Sequence, residues 1–76
     1  MSSRRIVILT EGYTNPSRAK TAAGMLRYAG EDVVAVLDSA KTGQTTQALL
    51  KAGGDTPVVA SVKEVAGANT LMIGVA

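Results

Sequence analysis

Seventy-six residues carry eight basic and six acidic side chains, a net charge of +2, and neither cysteine nor histidine. That length admits one small domain or half of a larger one, and the missing cysteine and histidine exclude disulfide staples and structural zinc sites. The basic residues are scattered and only Tyr13 and Tyr28 are aromatic, so the clustered cationic face and stacking platform of a nucleic-acid binder are lacking.

Residues 5 to 10 predict a first strand, apolar because a central parallel strand is covered on both faces. Asn15-Pro16 then reads as a helix start, with asparagine capping free amides and proline fitting the first helical position. The helix is expected from Pro16 to Ala29. Ala19, Ala22, Ala23 and Leu26 fall on one stripe at helical spacing, with Arg18 and Arg27 away from it. Gly30 is expected to end this helix in the left-handed conformation. A second strand is expected over Asp32 to Leu37, followed by a long polar loop, Asp38 to Thr46. A short helix follows, with Ala48, Leu49 and Ala52 facing inward and Gly53-Gly54 ending it. Pro57 to Ala60 reads as a third strand. Ser61-Val62-Lys63-Glu64 fits a capping box at the start of a last, brief helix that ends near Gly67. Asn69 to Val75 reads as a fourth strand.

Four strands alternating with three helices make an α/β domain. Right-handed crossovers on a doubly wound path predict a parallel sheet of order 3-2-1-4, a Rossmann-like half-domain. No apolar run approaches the roughly 20 residues of a membrane span. The segment Met1-Ser2-Ser3-Arg4-Arg5 precedes only a short apolar run that reads as a strand, so no signal peptide is expected there. The cytoplasm is therefore the default location. A chain this short buries only about 60% of its unfolded surface, so support from a further domain or from copies of itself in a homo-oligomer is expected. Ala76 follows directly on an apolar strand. The expectation is an N-terminal domain truncated from a longer protein; the alternative is a small natural protein whose last strand pairs with another subunit.

Ligands of such sheets bind beyond the carboxyl ends of the strands. In the first of these loops, Thr10-Glu11-Gly12-Tyr13-Thr14-Asn15, only Gly12 is present of the three glycines of a dinucleotide fingerprint. Gly12 would permit close approach of a phosphate. Asp38 ends the second strand, where an acidic side chain grips ribose hydroxyls in dinucleotide folds, although a lone aspartate there is also a common cap. Lys41-Thr42-Gly43-Gln44-Thr45-Thr46 gathers a cation, a glycine, several hydroxyls and a helix start, the parts of an anion site. Lys41, Thr42, Gly43 and Thr45 are the candidate phosphate contacts; the alternative is a solvated loop with a threonine cap. It lacks the order of a Walker A loop. With no histidine, no cysteine and no evident carboxylate pair in one cleft, catalysis by this chain alone is not expected, and no catalytic residue is assigned.

Ile8-Leu9-Thr10-Glu11-Gly12, Ala19-Lys20-Thr21-Ala22, Val33 to Ser39, Gly54 to Ser61 and Asn69 to Ala76 form an ordered set of motifs. Together they resemble the N-terminal Rossmann-like domain of a poorly characterised bacterial and archaeal family. That family is described variously as NAD-dependent epimerase/dehydratase-like and as D-glutamate N-acetyltransferase-like. The resemblance implies a following P-loop-type domain as the partner of this one, and the catalytic residues of that part lie outside this chain. Lys41 to Thr46 and Pro57 to Ser61 also look similar to the CoA-binding domain of succinyl-CoA ligases, over about half the chain, although the first loop departs from the ligase pattern. By analogy, coenzyme A, acetyl-CoA or NAD is the cofactor implied. The resulting expectation is a nucleotide or acyl-CoA binding domain of a larger enzyme, an amino-acid N-acetyltransferase by resemblance. The alternative is a structural or self-assembly module with unprotected sheet edges.

Overall fold

The computed structural model describes residues 4–75. Four strands, β1 (Ile6–Leu9), β2 (Val33–Leu37), β3 (Val58–Val59) and β4 (Thr70–Ile73), form one all-parallel sheet in the order β3-β2-β1-β4. This is the expected α/β topology. Two α-helices, α1 (Lys20–Ala29) and α2 (Thr46–Leu50), join β1 to β2 and β2 to β3. The third expected helix is a single 3-10 turn, Val62–Glu64, with the expected capping box. Ser61 accepts from the Lys63 amide while the Glu64 carboxylate accepts from the Ser61 amide.

The core lies on one face of the sheet. Ile6 and Ile8, Val33 and Val36, and Val58 pack against Ala19 just before α1, against Ala22, Ala23 and Leu26 along it, and against Leu50 at the end of α2, with Met72 half-buried among them. Each fully buried branched side chain contributes about 1.5–3 kcal/mol relative to exposure. The alanine stripe brings the α1 backbone close to the strands.

Local details differ from the expected boundaries. Asn15 does cap, accepting from the Ser17 and Arg18 amides at 3.2 and 2.9 Å, but it caps one isolated turn. The backbone breaks at Ala19 (φ −111°, ψ 43°), and α1 proper starts at Lys20. Gly30 is right-handed (φ −57°) and leads into a 3-10 turn, Gly30–Asp32, rather than terminating in the left-handed region. Helix α2 ends one residue before a left-handed Lys51 (φ 60°), ahead of Gly53-Gly54. Ala48 is exposed, and its expected inward place is taken by Thr46 and Leu50.

The sheet treats its two edges differently. At β3, the Gly43 amide donates to the Val58 carbonyl (3.2 Å), the Val58 amide to Gln44 (3.0 Å), and the Thr46 amide to Thr56 (2.9 Å). Residues 43–46 thus pair along the outer side of β3, with an antiparallel bridge between Thr45 and Pro57. At the opposite edge, β4 pairs with β1 alone among the described residues.

Gly74 closes the β4 side. Its amide donates to the Leu9 carbonyl (2.9 Å) and its carbonyl accepts from the Ala22 amide of α1 (3.1 Å). A Cβ here would run into Ile8 Cγ2 and come within 2.9 Å of Ala22 Cβ and 3.1 Å of Thr10 Cγ2. Gly74→Ala is therefore expected to cost about 1–3 kcal/mol, the usual range for overpacking. Urea unfolding of the two proteins measures it, and equal midpoints would contradict this close approach.

Candidate functional site

Thr10 follows β1 and donates its amide to the Leu37 carbonyl at the end of β2 (3.1 Å). The chain then turns at once: the Tyr13 amide returns to the Thr10 carbonyl (2.8 Å), and Gly12 supplies the positive φ (79°). This turn places Thr14 beneath it. The Thr10 and Thr14 hydroxyls lie 2.6 Å apart, and the Thr14 hydroxyl donates to Asp38 Oδ2 at 2.5 Å. A hydroxyl has one proton, so Thr10 donates to Thr14 and Thr14 to the carboxylate. All three residues are buried.

Asp38 also accepts from the Ala40 amide (2.9 Å), capping the 3-10 turn Ser39–Lys41. Burial by itself raises the carboxyl pKa. Hydrogen bonds from the Thr14 hydroxyl and from the Ala40, Gly12 and Thr14 amides outweigh it, holding the carboxyl below the ordinary aspartate value. Asp38 is thus an internal anion whose charge is met by donors of the protein itself. The Glu11 carboxylate runs the opposite way, accepting from the Ser39 amide (2.8 Å) and the Ser39 hydroxyl. Two reciprocal acidic contacts lace the loop after β1 to the loop after β2.

The other candidates sit further out. Lys41 is exposed at the lip. The Thr42 hydroxyl faces the Ser39 and Asp38 carbonyls at 3.3 and 3.5 Å. Gly43 has positive φ (91°) and spends its amide on β3. Thr45 caps α2 by accepting from the Ala48 amide (3.2 Å), while the Thr46 and Gln47 amides donate to Thr56 and Gly54. Gly12, Asp38 and Thr42 therefore meet around one network, whereas Gly43 and Thr45 belong to the cover of β3.

Beside β4 the arrangement is different. Strand order 3-2-1-4 makes the gap between β1 and β4 the switch point of the sheet, where open α/β folds place ligands. The amino terminus of α1 lies there, tied to Gly74 through Ala22. It has no side-chain cap and no acidic residue in its first turn, and the Lys20 and Thr21 amides take no partner among the described residues. Exposed Arg18 and Lys20 flank it, and the Arg18 guanidinium lies 5.7 Å from the Tyr13 ring centroid. Sequence reasoning overlooked this end of α1, and also Thr14 and Ser39. The available signal was Ala19, a non-capping residue where a serine, threonine or aspartate is preferred. Among the described residues no cluster of three histidine, cysteine, aspartate or glutamate side chains could hold a metal, and no helix is long and apolar enough to cross a membrane.

The chain is similar to a DUF1611 family protein from Anabaena variabilis. Its crystal structure superimposes with a TM-score of 0.80 at 31% identity, over 96% of this chain. The chain spans 22% of the length of that protein. No family model and no curated protein matches the chain. The likeness supports a domain of unknown function with the Rossmann-like fold. The D-glutamate N-acetyltransferase-like family is a finer assignment that this likeness does not reach.

The Asp38 network carries a pH signature. A carboxyl that titrates lower in the folded state than in the unfolded chain contributes fully above about pH 4, the unfolded value. That contribution is lost as pH falls through the folded value. Asp38→Asn is expected to lower stability at pH 7 by about 1–3 kcal/mol, the cost of charged hydrogen bonds. It should also flatten the loss of stability below about pH 4. Urea midpoints across pH 2.5 to 7 (roughly the titration range of carboxyls) check both; parallel curves would contradict the assignment.

Proposed function

We propose that this domain supplies one wall of a nucleotide or acyl-CoA site in a larger enzyme, at the crevice between β1 and β4. The observation that carries the reading is the convergence, at the sheet's switch point, of a braced first loop and an uncapped, cation-flanked start of α1. A diphosphate there would meet helix amides and the partial positive charge of the helix end, with Lys20 and Arg18 adding charge. Gly12, exposed and with no atom near its missing Cβ, lets a ligand approach the backbone of the first turn. Lys41 and Thr42 stand on the β2 side, where a second phosphate or the nucleoside end would reach them. Asp38 would serve the site indirectly, by shaping the loop, and Glu11, exposed beside Ser39, would be the carboxylate left to meet ribose hydroxyls.

Coenzyme A, acetyl-CoA and NAD share the diphosphate that this chemistry recognises. Acetyl-CoA would suit an amino-acid N-acetyltransferase, in keeping with the family resemblance of the sequence motifs. The remaining walls and the catalytic groups would come from a further domain. The 22% share of the Anabaena protein that this chain matches supports a division of that kind. A second reading, a self-assembly module without a ligand, is favoured by one observation: the unpaired outer side of β4, with Leu71 and Ile73 largely exposed.

Calorimetric titration with CoA, acetyl-CoA, NAD and ATP separates the two. Binding of at least one is expected, weakened about fivefold by Lys20→Ala and by Lys41→Ala, as for loss of one partly exposed charge contact of about 1 kcal/mol. Silence from all four on a folded sample, with light scattering showing a stable oligomer, would overturn the first reading in favour of the second.

A further inference from the structure

We infer that the solvent face of α1, together with the acidic turn that follows it, is a contact surface for a second copy of this chain. The two α1 helices pack antiparallel about a two-fold axis, with Tyr28 of each lying on Gly24 of the other. The inference stands whether or not the crevice takes a ligand.

Helical spacing defines the face. Ala22, Ala23 and Leu26 are buried against the strands, which leaves Lys20, Thr21, Gly24, Arg27 and Tyr28 exposed on the other side of α1. The Tyr28 residue is 94% exposed. Tyrosine and arginine are among the anchors enriched at protein interfaces. One turn before Tyr28, no atom lies within 4 Å of the missing Cβ of Gly24, and its φ is not positive. Nothing inside the monomer therefore calls for glycine there, although glycine is the poorest helix former after proline. A close approach from outside the monomer accounts for it.

Charge supplies the orientation and the occupant. Arg18 and Lys20 stand at the start of α1, and Glu31 and Asp32 follow its end, so the strip is basic at one end and acidic at the other. Neither Lys20 nor Glu31 forms an ion pair with another described residue, while Asp32 meets Arg4 at 3.3 Å. Beside Tyr28, residues 26–32 line an open recess of about 510 Å³ that includes Glu31 and Asp32. An aromatic ring, carboxylates and the negative end of a helix together suit a cationic side chain. In a two-fold antiparallel pair, the register that sets Tyr28 against Gly24 of the second copy also sets Lys20 against its Asp32 and Thr21 against its Glu31. Each end of the strip thus meets its electrostatic complement, twice over by symmetry. A parallel pair would set like charge against like. Arg27 stands near the axis but on the flank of the strip, where its stem adds apolar cover and its head stays in water. The contact is one helix wide, which places the dimer in the weak class, below about 1,200 Å².

Sedimentation equilibrium of the 76-residue chain over a wide range of concentration tests this. A reversible monomer–dimer equilibrium is expected, weakened by added salt. Gly24→Gln, Tyr28→Ser and Glu31→Lys should each raise the dissociation constant about tenfold, as for the loss of an interface anchor or charge pair. In dilute solution Tyr28→Ser should leave the Tm unchanged and Gly24→Gln should not lower it, because neither site is packed in the monomer. The chain has no cysteine, so a spin label on Thr21→Cys reads the register. It should broaden the amides of residues 30–32 of an unlabelled copy more than those of residues 17–21. A monomer at every concentration would overturn the inference, as would a dimer that none of the three substitutions weakens. Broadening strongest at residues 17–21, or along β4, would overturn it too. Lys20 borders the crevice and is left unaltered, whereas Tyr28 lies at the remote end of α1, so ligand titration of Tyr28→Ser reports on the crevice separately.

Discussion

One buried carboxylate organises the working end of this domain. Asp38 stands at the end of β2 and draws in donors from the loop after β1, so two connections that are independent in sequence become one body. Desolvating a charge is costly unless hydrogen bonds replace the lost water. Here a hydroxyl relay and backbone amides do so, and the carboxyl stays ionised. Donors of the loop after β1 and of the turn after β2 are thereby given to the protein's own anion.

Much of the architecture could be read from local signals, because each signal is a local physical requirement. Short β-branched runs ending at polar loops specified parallel strands, and right-handed crossovers left the order 3-2-1-4 as the natural path. The capping box at Ser61 and Glu64 was legible for the same reason, since its partners lie three residues apart. Asn15 was recognisable as a cap, yet the break at Ala19 was not, because it depends on where Gly74 arrives from the far end of the chain.

The candidate site was harder to read. Composition of the Lys41 to Thr46 segment suggests an anion cradle, but glycine and hydroxyls serve equally well to lay backbone against a neighbouring strand. Only the long-range pairing with Thr56 and Val58 shows that Gly43 and Thr45 are committed to β3. Asp38 is conspicuous in the sequence as the polar end of a strand, and the structure finds it there, as the cap of the following turn. What sequence could not show is that Thr14, itself an unremarkable residue, would reach it first. Gly30 illustrates the converse: a glycine at a helix end need not be left-handed when the following turn continues in the right-handed sense.

The central strand joins neighbours from very different distances along the chain. β1 meets β2 after one helical excursion, whereas Arg5 and Asn69 are brought together across 64 residues. Closing so long a loop costs only a logarithmic increment of entropy, about 0.6 kcal/mol per doubling, but it comes before any contact repays it. Assembly should therefore begin with the β1-α1-β2 unit and finish when β4 zips onto this already formed template.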